Sequence, residues 1–397
     1  MKSEWTKMKL SDIADFNPRE TIKKGEIAKK ISMDVLRPFY RDVPYYTEEC
    51  FSGGTKFRNG DTIMARITPC LENGKTAQVS ILNDGEVGFG STEYIVFRAK
   101  EGIADKDYLY YLVCSPEVRE PSIKSMVGSS GRQRVQTDVV KNLEIDVPPL
   151  VEQRKIGSFL KSIDDKIALN NKINNNLEQQ TQAIFKSWFV DFDPFDGELP
   201  SSWTNEKLGN VCNCVLGGTP SRAKPEYWNG TIPWINSGEV NNFRIIKPSE
   251  TITELGLTKS ATKLLPLKTT VIAITGATLG QVSLLEIDAC ANQSVVGIIP
   301  NDDYPYEYIY PLIKQSINKL TSHQTGGAQQ HINKQNVESL DILVPTAADL
   351  DKYCNTVHNL YEMIANNCFE NEYLTSLRDT LLPKLMSGEL DVSDIDL

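Results

Sequence analysis

The segment "GSSGRQRVQTDVVKNLEIDVPP", residues 128–149, returns 197 residues later as "TGGAQQHINKQNVESLDILVPT", residues 325–346. Apolar positions coincide in the two copies, and both copies close on an alternating run, "LEIDVP" or "LDILVP". Alternation of apolar and polar residues indicates a half-buried strand, and the proline that follows ends it. Repetition at a fixed period is the signature of a duplicated architecture. The chain is therefore predicted to contain two copies of one unit.

After each proline the apolar residues recur at alternating spacings of three and four, which is the pattern of a coiled-coil seam. The seam predicted for the first helix consists of Ile156, Leu160, Ile163, Ile167, Asn170, Asn174, Leu177 and Ile184. The seam predicted for the second helix consists of Val357, Leu360, Ile364, Asn367, Asn371, Leu374 and Leu381. Two interpretations of the asparagines stay open. They are seam residues that set register and orientation, or exposed breaks in two amphipathic helices.

These patterns predict an α+β fold, in which two mixed α/β domains are separated by two long antiparallel coiled-coil helices and related by a pseudo-two-fold repeat. The predicted segments are a first domain at 1–150, a central helix at 151–197, a second domain at 198–346, and a C-terminal helix with an acidic tail at 347–397. Within the domains, "DTIMARITP" (61–69) and "TTVIAITGATLG" (269–280) predict strands, and "KDYLYYLVCSPEVRE" (106–120) and "YEYIYPLIKQSINKL" (306–320) predict helices.

The composition, with 40% apolar and 24% charged residues, is typical of a soluble globular protein. No apolar run approaches the roughly 20 residues of a membrane span, and the first residues lack a signal-peptide pattern, so a cytoplasmic protein is expected. The net charge of −10 is concentrated at the end of the chain, where residues 347–397 carry 3 basic and 10 acidic side chains. Residues 1–150 carry 22 of each sign, and residues 201–346 carry 11 basic and 12 acidic, so each domain can present a basic face.

No catalytic or metal-binding signature is found in the sequence. The eight cysteines form no C-x-x-C pair, only Cys212 and Cys214 are close, and there are three histidines, so no metal site is predicted. The methyltransferase loop on which an exocyclic amine reacts needs two prolines and an aromatic residue, which Asn17-Pro18-Arg19 lacks. A phosphate-binding loop, a nuclease carboxylate cluster and a nucleophile motif are not found either. The chain is therefore predicted to be non-catalytic and to hold no cofactor.

Five segments closely resemble a known family, the specificity subunits of type I restriction–modification enzymes. Residues 217–240 ("GGTPSRAKPEYWNGTIPWINSGEV"), 274–284 and 326–345 resemble its target-recognition domain. Residues 148–167 and 381–390 ("LLPKLMSGEL") resemble its two spacer helices. The resemblance covers essentially the whole chain. The first domain departs further from the family pattern, because it has no "GGTPS" segment.

The resemblance implies a DNA-binding subunit of a phage-defence system that reads a split double-stranded target, with one half-site for each domain. It also implies that the spacer helices dock two modification (methyltransferase) subunits, which restriction (translocase and nuclease) subunits join. S-adenosylmethionine, ATP and Mg would bind those partners and not this chain. The first helix, from Glu152 to Phe189, would be about 57 Å long at about 1.5 Å per residue. This length limits the separation of the half-site centres to roughly 17 base pairs.

Residues that read DNA are expected among the arginine, lysine and amide side chains of the loops, because these residue types match base edges and phosphates. In the first domain the candidates are Arg66, Thr68, Lys75, Arg132, Gln133 and Arg134. In the second domain they are Ser221, Arg222, Lys224, Gln329, Gln330, His331 and Lys334. The alternative is that these are solvated loop residues or parts of the fold. Trp228 and Trp234 could stack on DNA, but core positions are the more common use of tryptophan.

Two other functions are compatible with the sequence. One is a coiled-coil scaffold that binds only proteins, and the other is a DNA methyltransferase fused to its own recognition domain. Binding of S-adenosylmethionine by this chain would favour the methyltransferase. A failure to bind DNA in the presence of the partner subunit would favour the scaffold.

Overall fold

The computed structural model describes residues 5–322 and 331–392. The chain divides into two compact units, of which unit 1 is Met1–Ala168 with Glu372–Leu397 and unit 2 is Leu169–Asn371. Each unit contains one α/β domain and part of two 40-residue helices, α5 (Leu150–Phe189) and α10 (Ala347–Met386).

The domain of unit 1 consists of short strands and helices that precede α5. Its strands are β1 (Thr6–Lys9), β2 (Ala14–Phe16), β3 (Ile27–Ile31), β4 (Thr47–Cys50), β5 (Thr55–Phe57), β6 (Thr62–Ala65), β7 (Thr76–Gln78), β8 (Gly88–Gly90), β9 (Tyr94–Ala99) and β10 (Glu144–Val147). Its helices are α1 (Leu10–Ile13), α2 (Lys106–Cys114), α3 (Pro116–Lys124) and α4 (Thr137–Lys141).

The domain of unit 2 lies between α5 and α10 in the sequence. Its strands are β11 (Thr204–Lys207), β12 (Asn213–Leu216), β13 (Trp228–Ile235), β14 (Glu250–Ile252), β15 (Leu264–Leu265), β16 (Thr270–Ala273), β17 (Val282–Leu284), β18 (Ala289–Ala291), β19 (Val295–Ile299) and β20 (Asp341–Val344). Its helices are α6 (Leu208–Val211), α7 (Glu254–Thr258), α8 (Tyr306–Ser322) and α9 (Lys334–Glu338).

The two domains have the same sheet topology, which confirms the predicted duplication. In unit 1 the sheets have the strand orders β1-β10, β2-β9-β6-β7 and β4-β3-β8-β5. In unit 2 they have the orders β11-β20, β12-β19-β16-β17 and β14-β13-β18-β15. Each third sheet contains one parallel pair, β3 with β8 or β13 with β18, within otherwise antiparallel pairing. The α+β fold class predicted from the repeat is therefore confirmed.

The strands that close the repeated segments join the beginning of each domain to its end. β1 pairs with β10 antiparallel, with Thr6 opposite Val147, and β11 pairs with β20 in the same way, with Thr204 opposite Val344. A tryptophan precedes each of these pairs and bonds to the first turn of the following long helix. Trp5 Nε1 donates to Glu152 at 3.1 Å, and Trp203 Nε1 donates to Asp349 at 3.0 Å. The start of each domain is thereby attached to the helix that follows it.

Helices α5 and α10 pack together in antiparallel orientation, as partners in each unit show. In unit 1, Leu160 and Leu385 share one buried core, and Arg378 Nη1 donates to Asp164 at 2.7 Å. In unit 2, the partner of Asn170 is Asn371 and that of Asn174 is Asn367. Residue numbers rise along α5 as they fall along α10, so the helices run in opposite directions.

The four asparagines predicted for the seam contact one another. Asn170 Nδ2 donates to Asn371 Oδ1 at 3.0 Å, and Asn367 Nδ2 donates to Asn174 Oδ1 at 2.8 Å. Asn170 is 0% and Asn174 is 2% exposed, so the interpretation of these two residues as exposed breaks is wrong. Each bond is the repeat mate of the other, because positions 170 and 174 become 367 and 371 under the 197-residue shift. This layer of the helix pair is consistent with the predicted pseudo-two-fold repeat.

The buried face of α5 changes near its C-terminal end. Ile184 is partly buried, whereas Phe185 and Phe189 are buried at 3% and 8% exposure. The physical reason is a change of packing partner, because the ring of Phe189 lies 4.9 Å from that of Tyr308, which belongs to the domain of unit 2. On α10, Leu360 is likewise partly buried, and the neighbouring Tyr361 is 1% exposed.

A buried arginine attaches each domain to the helix segment of its own unit. In unit 1, Arg41 Nη2 donates to Asp165 at 2.6 Å. In unit 2, Arg244 Nη2 donates to Glu178 at 2.9 Å, and Lys314 Nζ donates to the second oxygen of Glu178 at 2.6 Å. Burial by itself would raise the pKa of Glu178, but Arg244 and Lys314 outweigh it and lower the pKa to about 2.

This arrangement predicts an acid-sensitive contribution to stability. The folded pKa of Glu178 lies below its usual value of 4.5, so its contribution is fully present above about pH 5 and is lost as the pH falls toward 2. The shift corresponds to about 3 kcal/mol in total, of which about 2 kcal/mol should disappear between pH 6 and pH 3. Urea unfolding of the wild type and of Glu178→Gln over this range measures it. The stability difference between the two proteins should shrink as the pH falls, and a constant difference would contradict the assignment.

A second prediction concerns Arg378, which pairs with one buried and one exposed carboxylate. The side chain of Asp164 is 6% exposed and that of Asp379 is 57% exposed. Asp164→Asn leaves a buried guanidinium without its buried counter-charge and should lower the free energy of unfolding by about 3 kcal/mol. Asp379→Asn, the matched control, should lower it by less than about 1 kcal/mol. Equal effects of the two substitutions in urea unfolding would show that burial does not decide the strength of this network.

Candidate nucleic-acid interface

Two loops that are separate in the sequence lie side by side in the domain of unit 1. Val135 N donates to Arg66 O at 2.8 Å, and Thr68 N donates to Gln133 O at 3.0 Å. An antiparallel bridge also joins Ile67 to Arg134. These backbone contacts bring Arg66 and Thr68, which follow β6, next to the segment Arg132–Arg134. Two groups of predicted DNA-binding residues therefore form one cluster.

A single carboxylate organises the arginines of this cluster. Arg134 donates through Nε and Nη2 to the carboxylate of Glu93 at 2.7 to 3.0 Å. Arg66 Nε lies 3.9 Å from the same carboxylate. The hydrogen bonds from Arg134 lower the pKa of Glu93, so this carboxylate stays charged at neutral pH. Glu93 was not predicted as a site residue.

Arg132 is exposed, as Arg134 is, but it differs from Arg134 in having no partner among the described residues. Within residues 5–322 and 331–392, no hydrogen bond or ion pair holds its guanidinium. The three arginines at positions 66, 132 and 134 against the one carboxylate of Glu93 leave a net charge of +2 on these four groups. Such a surface attracts a polyanion, and a free guanidinium is suited to a phosphate oxygen.

Two other candidates of the first domain are engaged with the protein itself. Lys75 Nζ donates to the backbone oxygen of Met33 at 2.8 Å, so its ammonium group is engaged by the protein backbone. The hydroxyl of Thr68 lies 3.5 Å from the sulfur of Met126. These contacts favour the alternative interpretation for Lys75, namely a residue of the fold.

In the domain of unit 2, the Gly217-Gly218 turn is required by close packing. A Cβ at Gly217 would lie 2.1 Å from Asn292 O, and a Cβ at Gly218 would lie 2.6 Å from Thr262 N. The backbone oxygen of Gly218 also accepts a hydrogen bond from Trp234 Nε1 at 3.1 Å. The two glycines therefore position the segment that follows them, which carries Ser221, Arg222 and Lys224.

Arg222 is held on an aromatic platform beside a carboxylate. Its guanidinium lies 3.6 Å from the ring centroid of Trp228, and Nη2 donates to Glu250 at 2.9 Å. Nη1 bonds to the other oxygen of the same carboxylate. The indole N–H of Trp228 donates to Ser221 O at 3.2 Å, which fixes the platform against the loop. Trp228 and Trp234 are 9% and 2% exposed, so they are core residues that support the arginine.

His331 and Lys334, two further candidates of the second domain, lie at the start of α9. His331 forms a bridge with Thr275, and Ile332 N donates to Ile274 O at 3.0 Å. This is the backbone arrangement seen at Arg134 and Val135, so His331 occupies the position of Arg134 in the repeat. Lys334 pairs with Glu338 at 3.1 Å, and Lys224 Nζ donates to the hydroxyl of Tyr227 at 3.0 Å. Gln329 and Gln330 lie outside the described residues.

The described part of the chain contains no group of three or more histidine, cysteine, aspartate or glutamate residues placed to hold a metal ion. All eight cysteines are free. Among the helices of the same residues, none is long and apolar enough to cross a membrane.

The chain therefore contains two copies of an α/β domain with exposed arginines on their loops, and the domains alternate along the sequence with two paired long helices. A family model described as the type I restriction modification DNA specificity domain matches the chain twice, at residues 2–179 and 200–367. The chain therefore belongs to the family of type I restriction–modification specificity subunits, which recognise DNA and are not themselves catalytic. This membership confirms the family, the function and the non-enzymatic role predicted from the sequence.

Individual relatives agree with this membership. The chain is 25% identical to the HindI specificity subunit of Haemophilus influenzae, over 98% of this chain and 100% of that protein. It is 28% identical to the MjaIX specificity subunit of Methanocaldococcus jannaschii, over 75% of this chain and 71% of that protein. The crystal structure of a type I S subunit from M. genitalium has a TM-score of 0.59 at 16% identity, over 97% of this chain and 96% of that one, which supports the fold.

Proposed function

We propose that each α/β domain reads one half of a split double-stranded DNA target, the first through the cluster of Arg66, Arg132 and Arg134 and the second through Arg222 and the loop at His331. The observation that carries this proposal is that each copy of the duplicated domain presents exposed arginine on its loops, Arg132 and Arg134 in the first domain and Arg222 in the second. In the first domain the cluster is joined by backbone bonds, and in the second the arginine rests on a buried tryptophan. Arg134 and Arg222, whose guanidinium groups are held by hydrogen bonds, have little conformational entropy left to lose when they bind.

The helix pair of α5 and α10 is proposed to act as the spacer between the reading domains and as the docking site of two modification subunits. Support comes from the length of the helices, 40 residues each, and from the asparagine bonds that set their register. Restriction subunits would join the same assembly in the cytoplasm. S-adenosylmethionine, ATP and Mg would act on those partners, and this chain would contribute the choice of site.

A protein-only scaffold is the second candidate, since paired helices alone would serve it. It leaves the exposed cationic group of Arg132 and the arginine platform at Trp228 without a purpose. Mapping of DNA methylation in cells with and without this chain separates the two functions. We expect methylated split sites that disappear with the chain, and the scaffold requires that the methylated sites stay the same.

The role of Arg132 can be measured through salt dependence. Arg132→Ala in the complex with the modification subunit should weaken binding to all DNA sequences alike. The slope of log affinity against log salt should become less steep by roughly one, because about one fewer counterion is released. Arg154→Ala is the control, since Arg154 is an exposed arginine at the start of α5 and its removal changes the net charge equally. An equal loss of slope in both variants would show a general charge effect and no contact at Arg132.

The spacer role predicts that longer helices read targets with longer gaps. A seven-residue insertion after Asn176 of α5, paired with one after Met363 of α10, adds about 10 Å and close to two full turns to each helix. Both positions are exposed and lie beside the asparagine layer. At about 3.4 Å per base pair the gap should grow by up to roughly three base pairs.

In the methylation map of the variant with longer helices, the base sequences of the two half-sites should stay unchanged. A seven-residue insertion after Asp302, in an exposed turn of the second domain, is the control and should leave the gap as it is. A gap of unchanged length in the helix variant, or changed letters, would refute the spacer role.

A further inference from the structure

In each domain, one exposed arginine is bound by a single carboxylate. The carboxylate accepts hydrogen bonds from two nitrogens of the guanidinium. In the first domain Arg134 donates to Glu93 through Nε and Nη2. In the second domain Arg222 donates to Glu250 through Nη1 and Nη2. The two pairs do not lie at equivalent positions of the repeat, because His331 occupies the position of Arg134 in the second domain. The same chemical arrangement therefore occurs on different loops of the two domains.

In the first pair, the backbones of Arg134 and Glu93 are both held by hydrogen bonds. Arg134 exchanges two backbone hydrogen bonds with Val127, at 2.9 and 3.0 Å. Glu93 accepts at its backbone oxygen from Arg66 N at 2.9 Å, and its N–H donates to Ser91 Oγ at 3.1 Å. The geometry of the side-chain pair is therefore set by the fold.

The second pair is fixed by packing. The guanidinium of Arg222 stacks on Trp228 at 3.6 Å from the ring centroid, and Trp228 is itself bonded to the loop at Ser221 O. Glu250 lies on β14, where it stands opposite Trp234 in the sheet register. Stacking on the indole face holds the plane of the guanidinium, so its direction is determined as well as its position.

Stability does not account for these pairs. The side chain of Arg134 is 46% exposed and that of Arg222 is 54% exposed, and ion pairs at such positions contribute little to folding. Two long side chains are nevertheless ordered in each case, at a cost in conformational entropy. In each pair the ordered group is an exposed guanidinium. One of its edges is bonded to the carboxylate, and its other N–H donors are not used by that carboxylate.

The chemistry of the unused edge fits a base better than a phosphate. The remaining N–H donors of such an arginine can bond to O6 and N7 of guanine, a contact that requires a guanidinium of defined direction. The carboxylate cancels the charge of its arginine, so the pair is only weakly attracted to the phosphate backbone. The unpaired Arg132 has the opposite properties and suits the phosphate role proposed above.

We propose that Arg134 and Arg222 are the guanine-reading residues of the two half-sites, and that Glu93 and Glu250 are the positioning residues that hold them. This inference rests on the proposed function, because it assumes that each domain reads one half-site. It assigns to two glutamates a part in sequence discrimination. Each glutamate acts through its arginine, so its loss should affect one G·C pair of one half-site.

The test uses Glu93→Gln and Glu250→Gln separately, each in the complex with the modification subunit, with methylation mapping as the readout. Glu93→Gln should relax one G·C position of one half-site, with a loss of discrimination of about 5- to 150-fold, and leave the other half-site unchanged. Glu250→Gln should do the same in the other half-site. In addition, the salt slope of DNA binding should steepen by up to about one, because the arginine regains its full charge.

If the glutamates had only a structural role, their substitution would lower the urea midpoint of unfolding and would not reduce discrimination at one particular base pair. The urea midpoint and the base discrimination are therefore both measured. Arg134→Lys provides a second variant that keeps the charge and loses the bidentate geometry, and it should relax the same position as Glu93→Gln. The inference would be overturned if Glu93→Gln and Arg134→Lys both methylate the same half-site sequences as the wild type. It would also be overturned if base discrimination is lost at an A·T pair or in both half-sites. If the wild-type complex methylates no split target, the proposed function fails instead, so the two failures are distinguishable.

Discussion

Hydrogen bonds among four asparagine side chains set the register of the two long helices, and both domains are attached to those helices. An apolar seam tolerates sliding, because one heptad of leucine and isoleucine resembles the next. The bonds of Asn170 with Asn371 and of Asn174 with Asn367 form in one register only. A shift would leave buried amides without partners, at a cost of about 1–3 kcal/mol for each group.

Each domain is joined to its own helix segment by charges that a sequence pattern does not report. Arg41 and Arg244 stand at corresponding places in the two domains, since a parallel bridge follows each of them, from Asp42 to Gln78 and from Ile245 to Leu285. Both arginines are buried and bond to an acidic residue of α5. The pair of Arg244 with Glu178 is buried on both sides and is therefore a directional attachment, because a misplaced partner would leave a buried charge without compensation, whereas the side chain of Asp165 is 53% exposed. A domain attached in this way keeps its orientation on the helix segment of its own unit.

The proposed division of labour among the arginines follows from their surroundings. A guanidinium without a partner, as at Arg132, keeps its full charge and contributes to affinity for any DNA. A guanidinium held by a carboxylate, as at Arg134, gives up net charge and gains a defined direction, which suits discrimination between bases. Under this proposal, related domains would share one framework of strands and recognise different base sequences, because recognition would depend on a few loop side chains.

The sequence by itself determined the duplication, the long helices, the fold class and the family, because all of these are written in periodic or repeated patterns. The strand that ends each copy and the asparagines of the seam lie 197 residues from their counterparts, and local spacing was sufficient to find them. Only the tertiary structure decided that Arg66 meets Arg134, that Glu93 and Glu250 hold the exposed arginines, and that the buried face of α5 moves to Phe185. These contacts join residues far apart in the chain through loops that have no period. Pairing between single charges carries no pattern along the sequence, so it is visible only after the strands have placed both partners.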